Sequence, residues 1–188
     1  MNIRVESPFP FEALPRVYRW YQTFREKIAD DFAPKTLDEF IQSQLMKWDQ
    51  QQSWAIYGDG ELGGLITFER INPWLGTATI LLKPDFHGRG IAVKAATVAI
   101  GEMFQQPGIG KVDFFLLAGN KAIGSLLITI GAKREGTLES HTLREGKPAD
   151  LWVYGLTKQH FEDTQNGILR GLLRSNHTDE HVERTAAV

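Results

Sequence analysis

Apolar positions near the N-terminus first alternate and then fall into helical spacing. "NIRVES" fits a short strand. After "PFPF", the residues Leu14, Val17, Tyr18, Tyr21, Phe24 and Ile28 recur three or four apart, which predicts a helix over residues 11–33. Thr36 followed by Glu39 has the spacing of a capping box, so a second helix opens there, with Phe40, Ile41, Leu45 and Trp48 along one side. From Ser53 the period changes. "SWAIYGDGELGGLITFERI" is two apolar runs around Asp59-Gly60, a pair suited to a tight hairpin, and "TATILLK" adds a third strand. A glycine-containing loop then leads into a helix over 91–105. A turn at "QQPGIG", a strand "KVDFFLLAG" and a helix from Asn120 to about Ile130 follow. "AKREGTLESHTLREGKPADLWVYGL" fits two further strands turning at Glu145-Gly146-Lys147, with alternation at Leu151, Val153 and Tyr154. Residues 158–175 predict a last helix striped by Ile168, Leu169, Leu172 and Leu173, and the polar stretch 176–188 reads as a disordered tail.

This order predicts a mixed α/β (α+β) fold: a mostly antiparallel central sheet flanked by helices, with a parallel part near the strand–helix–strand segment. No shift in composition divides residues 1–157, so one domain is expected there. A formal net charge of −2 gives no electrostatic case for binding nucleic acid or a membrane surface. The absence of cysteine removes disulfides, thiolate nucleophiles and zinc–sulfur sites, and no metal site is expected. Neither a signal-peptide core nor a membrane span is evident, which makes a cytoplasmic location the expectation.

The chemistry concentrates in "LLKPDFHGRGIAVKAA", residues 81–96. A strand that ends in small residues and enters a helix aims several backbone N–H groups at one point, where the helix dipole adds about half a positive charge. Gly88 and Gly90 allow close approach to a phosphate, Arg89 can add a cation at the rim, and the first turns of the next helix carry no acid. A plain strand-to-helix turn would use the same glycines. The Walker pattern is excluded, since Ile91 and Ala92 follow Gly90. The dinucleotide pattern fails at Val93, where its third glycine should be. What remains is a basic or polar residue followed by spaced small residues, His87-Gly88-Arg89-Gly90-Ile91-Ala92.

With these residues the chain resembles the GNAT superfamily of acetyl-CoA-dependent N-acetyltransferases. "AGNKAIGSLLITIGAKREGTL" is similar to the family's segment in which an Asn opens a helix and a Gly-aromatic pair closes it before a strand, with Asn120 and Gly131 at that spacing, and the hairpin "REGTLESHTLREGKPADLWVYGL" resembles the Rim-type branch that acetylates ribosomal-protein N-termini. The resemblance covers roughly residues 3–157. It implies a strand splay at an acyl-CoA site, a diphosphate held by His87, Gly88, Arg89, Gly90, Ile91 and Ala92, a pantetheine arm paired with Leu81, Leu82 and Lys83, and a contact from Asn120. It further implies acetyl-CoA as cofactor and an amine acceptor, either a protein or a small molecule.

Direct transfer to an amine needs a proton acceptor and a donor toward the leaving thiolate. The chain departs from the family here: "TATILLK" has no carboxylate, and the helix positions that often hold Tyr or Ser are Leu127 and Ile123. The candidates that remain are Glu69 as base, His141 as a group titrating near neutrality, Ser125 on the helix, and Tyr154 as a hydroxyl for the thiolate. The same departures suit an alternative, a module that binds acyl-CoA or a protein partner without turnover. The C-terminal apolar stripe suggests a homodimer as one way to cover it.

Overall fold

The computed structural model describes residues 2–28, 30–46 and 51–168. Within them seven strands form one sheet: β1 (Ile3–Glu6), β2 (Gln51–Gly58), β3 (Glu61–Arg70), β4 (Leu75–Leu82), β5 (Lys111–Leu117), β6 (Lys133–Arg144) and β7 (Lys147–Thr157), in the order β1-β2-β3-β4-β5-β7-β6. Every pairing is antiparallel except β4 with β5. The parallel pair follows from the helix between its strands, since a crossover returns the chain in the same direction. The α-helices among the described residues are α1 (Leu14–Ile28), α2 (Leu37–Leu45), α3 (Ile91–Gln105), α4 (Lys121–Thr129) and α5, residues 158–168.

Strand alternation sorts side chains onto two faces, and each face has its own core. On one, Ile66, Phe68, Val112, Phe114 and Leu156 pack against Ala95, Ala99 and Met103 of α3 and Leu126 and Leu127 of α4. On the other, Ala55, Leu62 and Leu65 meet Leu14, Val17, Tyr18 and Tyr21 of α1 and Phe40 of α2. Trp54 is fully buried and donates its indole N–H to Glu102 Oε2 at 2.6 Å, which keeps a polar atom satisfied inside the core.

The second helix opens as its sequence predicts. Thr36 accepts the Glu39 N–H, and Glu39 reaches back to the Thr36 N–H, a reciprocal cap worth about 1 kcal/mol. The first helix is shorter than predicted. A tight turn at Phe11–Ala13 precedes it, and by Asp30 the chain has left the helix, because Asp30 and Asp31 are drawn to the β6–β7 hairpin. Trp48 lies outside the described residues. In α5 the buried contact is Phe161 on Phe104, with ring centroids 5.6 Å apart, whereas Ile168 of the predicted stripe is exposed; Leu169, Leu172 and Leu173 lie outside the described residues. No helix among the described residues is long and apolar enough to cross a membrane.

Candidate active site

β4 and β5 pair over only three rungs, ending at Thr77 opposite Asp113. Beyond that rung they part, and the gap is the centre of the site. On the α3–α4 side lies a cleft of about 960 Å³, bordered by Ile80, Leu81 and Leu82 of β4, the glycine loop, and the segment from Leu117 into α4. Where the strands part lies a chamber of about 150 Å³, lined by Ile66, Ala96 and Phe114 of the α3-side core and also by Thr79, Leu81 and Phe115, which alternate onto the other face. On the α1–α2 side a third cavity, of about 210 Å³, is walled by Ser43, Gln44, Thr67, Glu69, Thr77 and Thr79. Leu81 borders all three spaces, and Thr79 borders the last two.

The loop leaves main-chain N–H groups open toward the cleft. Pro84–Phe86 makes one tight turn, and Phe86 anchors it by packing on Gly63, where a Cβ would lie 2.2 Å from the ring. Gly88 and Gly90 both hold φ of +71°, a backbone that glycine reaches without strain. A Cβ at either glycine would meet nothing within 4 Å, so the space in front of the loop is open. Gly90 caps α3 with no side-chain hydrogen bond, and the helix's first N–H groups have no carbonyl a turn earlier to bond. Ile91 is buried, so only its main chain can serve a ligand.

Two residues predicted to touch the cofactor make contacts within the protein. The His87 ring borders the wide cleft and turns toward the strand, with Nε2 3.1 Å from the Leu82 carbonyl, so it ties the loop to β4. Lys83 is buried; its ammonium lies 2.5 Å from Glu61 and over the Phe86 ring, and its N–H goes to Gly63 on β3. By alternation, the main-chain groups of Ile80 and Leu82 face the parting, and the Leu82 carbonyl is already engaged by His87. Arg89 does not border the cleft, whereas Gly88, Gly90 and Ala92 do. Asn120 caps α4 by accepting the Ile123 N–H at 3.3 Å, and it borders both the cleft and the chamber.

Of the four side chains predicted for proton transfer, two border this path, on opposite sides of the sheet: Ser125 on the wide cleft and Glu69 in the far cavity. The other two are elsewhere. Tyr154 is buried in the core with its hydroxyl under α4, 2.9 Å from where a Cβ on Gly124 would be. His141 is exposed, in a bulged part of β6 where Ser140 takes φ of +49° and gives its N–H to Asp150.

Sequence reasoning missed Thr79, Phe115 and Arg144, which border these spaces. Arg144 borders the wide cleft from the tip of the β6–β7 hairpin, and it is held there from both sides: the Asp31 N–H bonds the Leu143 carbonyl, and the Asp31 carboxylate accepts the N–H groups of Glu145 and Gly146 at 2.9 and 2.8 Å. The Gly146 N–H is the main cause holding the Asp31 carboxyl below its ordinary value, against a smaller effect of burial, with the Glu145 N–H adding to it. A folded-state value below the unfolded one adds stability above about pH 4 that is lost as pH falls through the folded value. Asp31→Asn should therefore lower the melting temperature at pH 7, and thermal scans should show the two proteins converging as the pH drops below about 4.

Residues 7–133 match the family described as the acetyltransferase (GNAT) domain, and the chain belongs to that family. Solved structures share the fold. An N-acetyltransferase from Staphylococcus aureus Mu50 superposes with a TM-score of 0.69 at 22% identity, over 84% of this chain and 99% of that one. A ribosomal-protein-alanine N-acetyltransferase from Brucella melitensis gives 0.69 at 18% identity, over 84% and 99%. A spermidine N-acetyltransferase from Vibrio cholerae, solved with CoA and spermine, gives 0.71 at 15% identity, over 85% and 97%.

Proposed function

We propose that the protein moves an acetyl group from acetyl-CoA to a primary amine, with the two substrates reaching the chamber from opposite faces of the sheet. The observation that carries this reading is the parting of β4 and β5, with a cleft ending at a phosphate-type loop on one side and a polar cavity on the other, Leu81 bordering both. The residues fit the cofactor. The N–H groups from Gly88 to Ala92 would hold its diphosphate, Ile80 and Leu82 its arm, and Asn120 and Ser125 border the same path. When bound, it supplies an activated acetyl thioester.

Glu69 sits in the far cavity among the hydroxyls of Ser43, Thr67, Thr77 and Thr79, where a carboxylate attracts an ammonium. Glu69→Gln should raise the KM for the amine several-fold more than it lowers kcat, as steady-state kinetics at varied amine concentration would show. The acceptor is a protein N-terminus, a lysine or a small amine; a hydroxyl- and amide-walled cavity of about 210 Å³ suits a compact polar end in each case.

Calorimetric titration with acetyl-CoA, followed by mass spectrometry after incubation with peptides and small amines, tests the reading. Binding together with a gain of one acetyl group on an acceptor is the expected result. Absence of binding overturns it, and binding with no transfer to any acceptor favours a module that holds the cofactor without turnover.

A further inference from the structure

The last rung before β4 and β5 part places Asp113 at the narrow end of the gap, and alternation puts its side chain on the face opposite α3, since Val112 and Phe114 belong to the α3 core. Two residues along on the same face, Phe115 is 52% exposed, so the α1–α2 layer does not cover this part of the sheet. Asp113 therefore stands on the last paired rung before the opening, next to Thr77 of the far cavity and on the face from which the amine is proposed to arrive. It is also nearer the parting than Glu69. The register aligns Glu69, Thr77, Asp113 and Gly155 across four strands, which leaves Glu69 a whole strand farther away.

The surroundings of Asp113 are specific. Lys111 Nζ lies 3.0 Å from Asp113 and 2.7 Å from Glu135. Gly155, next to Asp113 on β7, has no side chain, and a Cβ there would strike Glu135 and Lys111. Burial works against the Lys111 charge, but the two carboxylates outweigh it and hold the ammonium above its ordinary value, so it stays charged. Among the described residues, the charged side chains near Asp113 across the sheet include Lys111, Glu135 of β6 and, beyond Thr77, Glu69 of β3, and the row continues through Gly155 to Lys133.

On the reading of the previous subsection, we infer that Asp113 is the carboxylate that meets the acceptor nitrogen and takes its proton during transfer. An ordinary carboxylate is too weak a base to strip a free alkylammonium, whose pKa is about 10, so the ammonium gives its first proton to solvent and the neutral amine, which has a free electron pair, attacks the acetyl carbon. The nitrogen becomes far more acidic as its bond to the acetyl carbon forms, and at that stage Asp113 can accept the proton directly or through one water. The C–N bond forms as the C–S bond breaks, the electron pair leaves with sulfur, and a solvent proton converts the thiolate to thiol. Asp113 afterwards returns its proton to solvent, so the cycle releases one proton per ammonium consumed.

The test uses the full chain with acetyl-CoA and two probe amines, propylamine and 1,4-diaminobutane. Asp113→Asn should keep acetyl-CoA affinity and melting temperature near the wild-type values and lose about 100-fold in kcat/KM, the scale of one positioned base. Asp113→Glu should recover part of the rate, and added formate should partly restore Asp113→Ala. In the protein without cofactor, the ¹³C resonance of the Asp113 carboxyl should shift as propylamine is titrated in. A kcat/KM for Asp113→Asn within threefold of wild type overturns the assignment. So does a loss matched by a fall in melting temperature and rescued by neither formate nor glutamate, since that pattern belongs to a structural ion pair. A wild-type chain that binds no acetyl-CoA would instead overturn the transferase reading, a separate result.

Discussion

Gly90→Glu should leave the fold standing and weaken coenzyme A binding by at least about 100-fold, equivalent to about 2.7 kcal/mol. The added side chain has room, because no atom lies within 4 Å of its Cβ position, so the core does not pay for it. It is the ligand that loses its place. A carboxylate at the start of α3 would occupy the N–H groups the diphosphate needs and repel it through an end of the helix that carries no competing acid. Gly90→Ala is the matched control. Both variants force a side chain to φ of +71°, a strain of about 1–2 kcal/mol that lowers melting temperature alike. Calorimetry on the pair separates backbone strain from charge and bulk, and equal affinities would take the loop out of the binding site.

The second large effect is expected at Gly63, which no phosphate touches. Gly63 lies on buried β3 and accepts the Phe86 ring edge-on, with the nearest ring carbon 2.2 Å from a Cβ position. Gly63→Ala must push that ring out or bend the strand, and overpacking of this kind costs about 1–3 kcal/mol. Because Phe86 immediately precedes His87, the displaced ring should drag the loop and weaken coenzyme A binding as well. Phe86→Leu in the Gly63→Ala background should recover much of the lost melting temperature, which a double-mutant cycle by thermal scanning would reveal. If Gly63→Ala melts with the wild type, the anchoring role of Phe86 is wrong.

The parts of the site that were legible in the sequence are those set by neighbours along the chain. Gly88 and Gly90 announce a left-handed backbone, Thr36 and Glu39 a reciprocal cap, and Asn120 a helix start, and each occurs where the residue types require it. For His87 and Lys83 the sequence did not tell where the side chains turn, because position next to a motif says nothing about that. A single tight turn at Pro84–Phe86 is enough to fold the imidazole back onto Leu82. Tyr154 had two faces open to it by alternation, and the space left by Gly124, thirty residues earlier, goes with the buried one. Asp113 was invisible for a different reason. Its importance comes from the register that brings residues 69, 77, 113 and 155 into one row and from the point where two strands stop pairing, neither of which one strand's sequence encodes. The available hint was a lone carboxylate inside the apolar run "KVDFFLL".

The ties from Asp30 and Asp31 to the β6–β7 hairpin join residues 112 to 115 positions apart in the chain. Two segments so distant are coupled through three side-chain bonds and one main-chain bond into a single structural unit. A chimera that takes the hairpin from a relative while keeping the native loop 30–36 would forfeit the interlock, whereas exchanging both together would preserve it. Contacts this far apart also close a large loop, an entropic cost that delays their formation, so the two segments should be among the last to settle during folding.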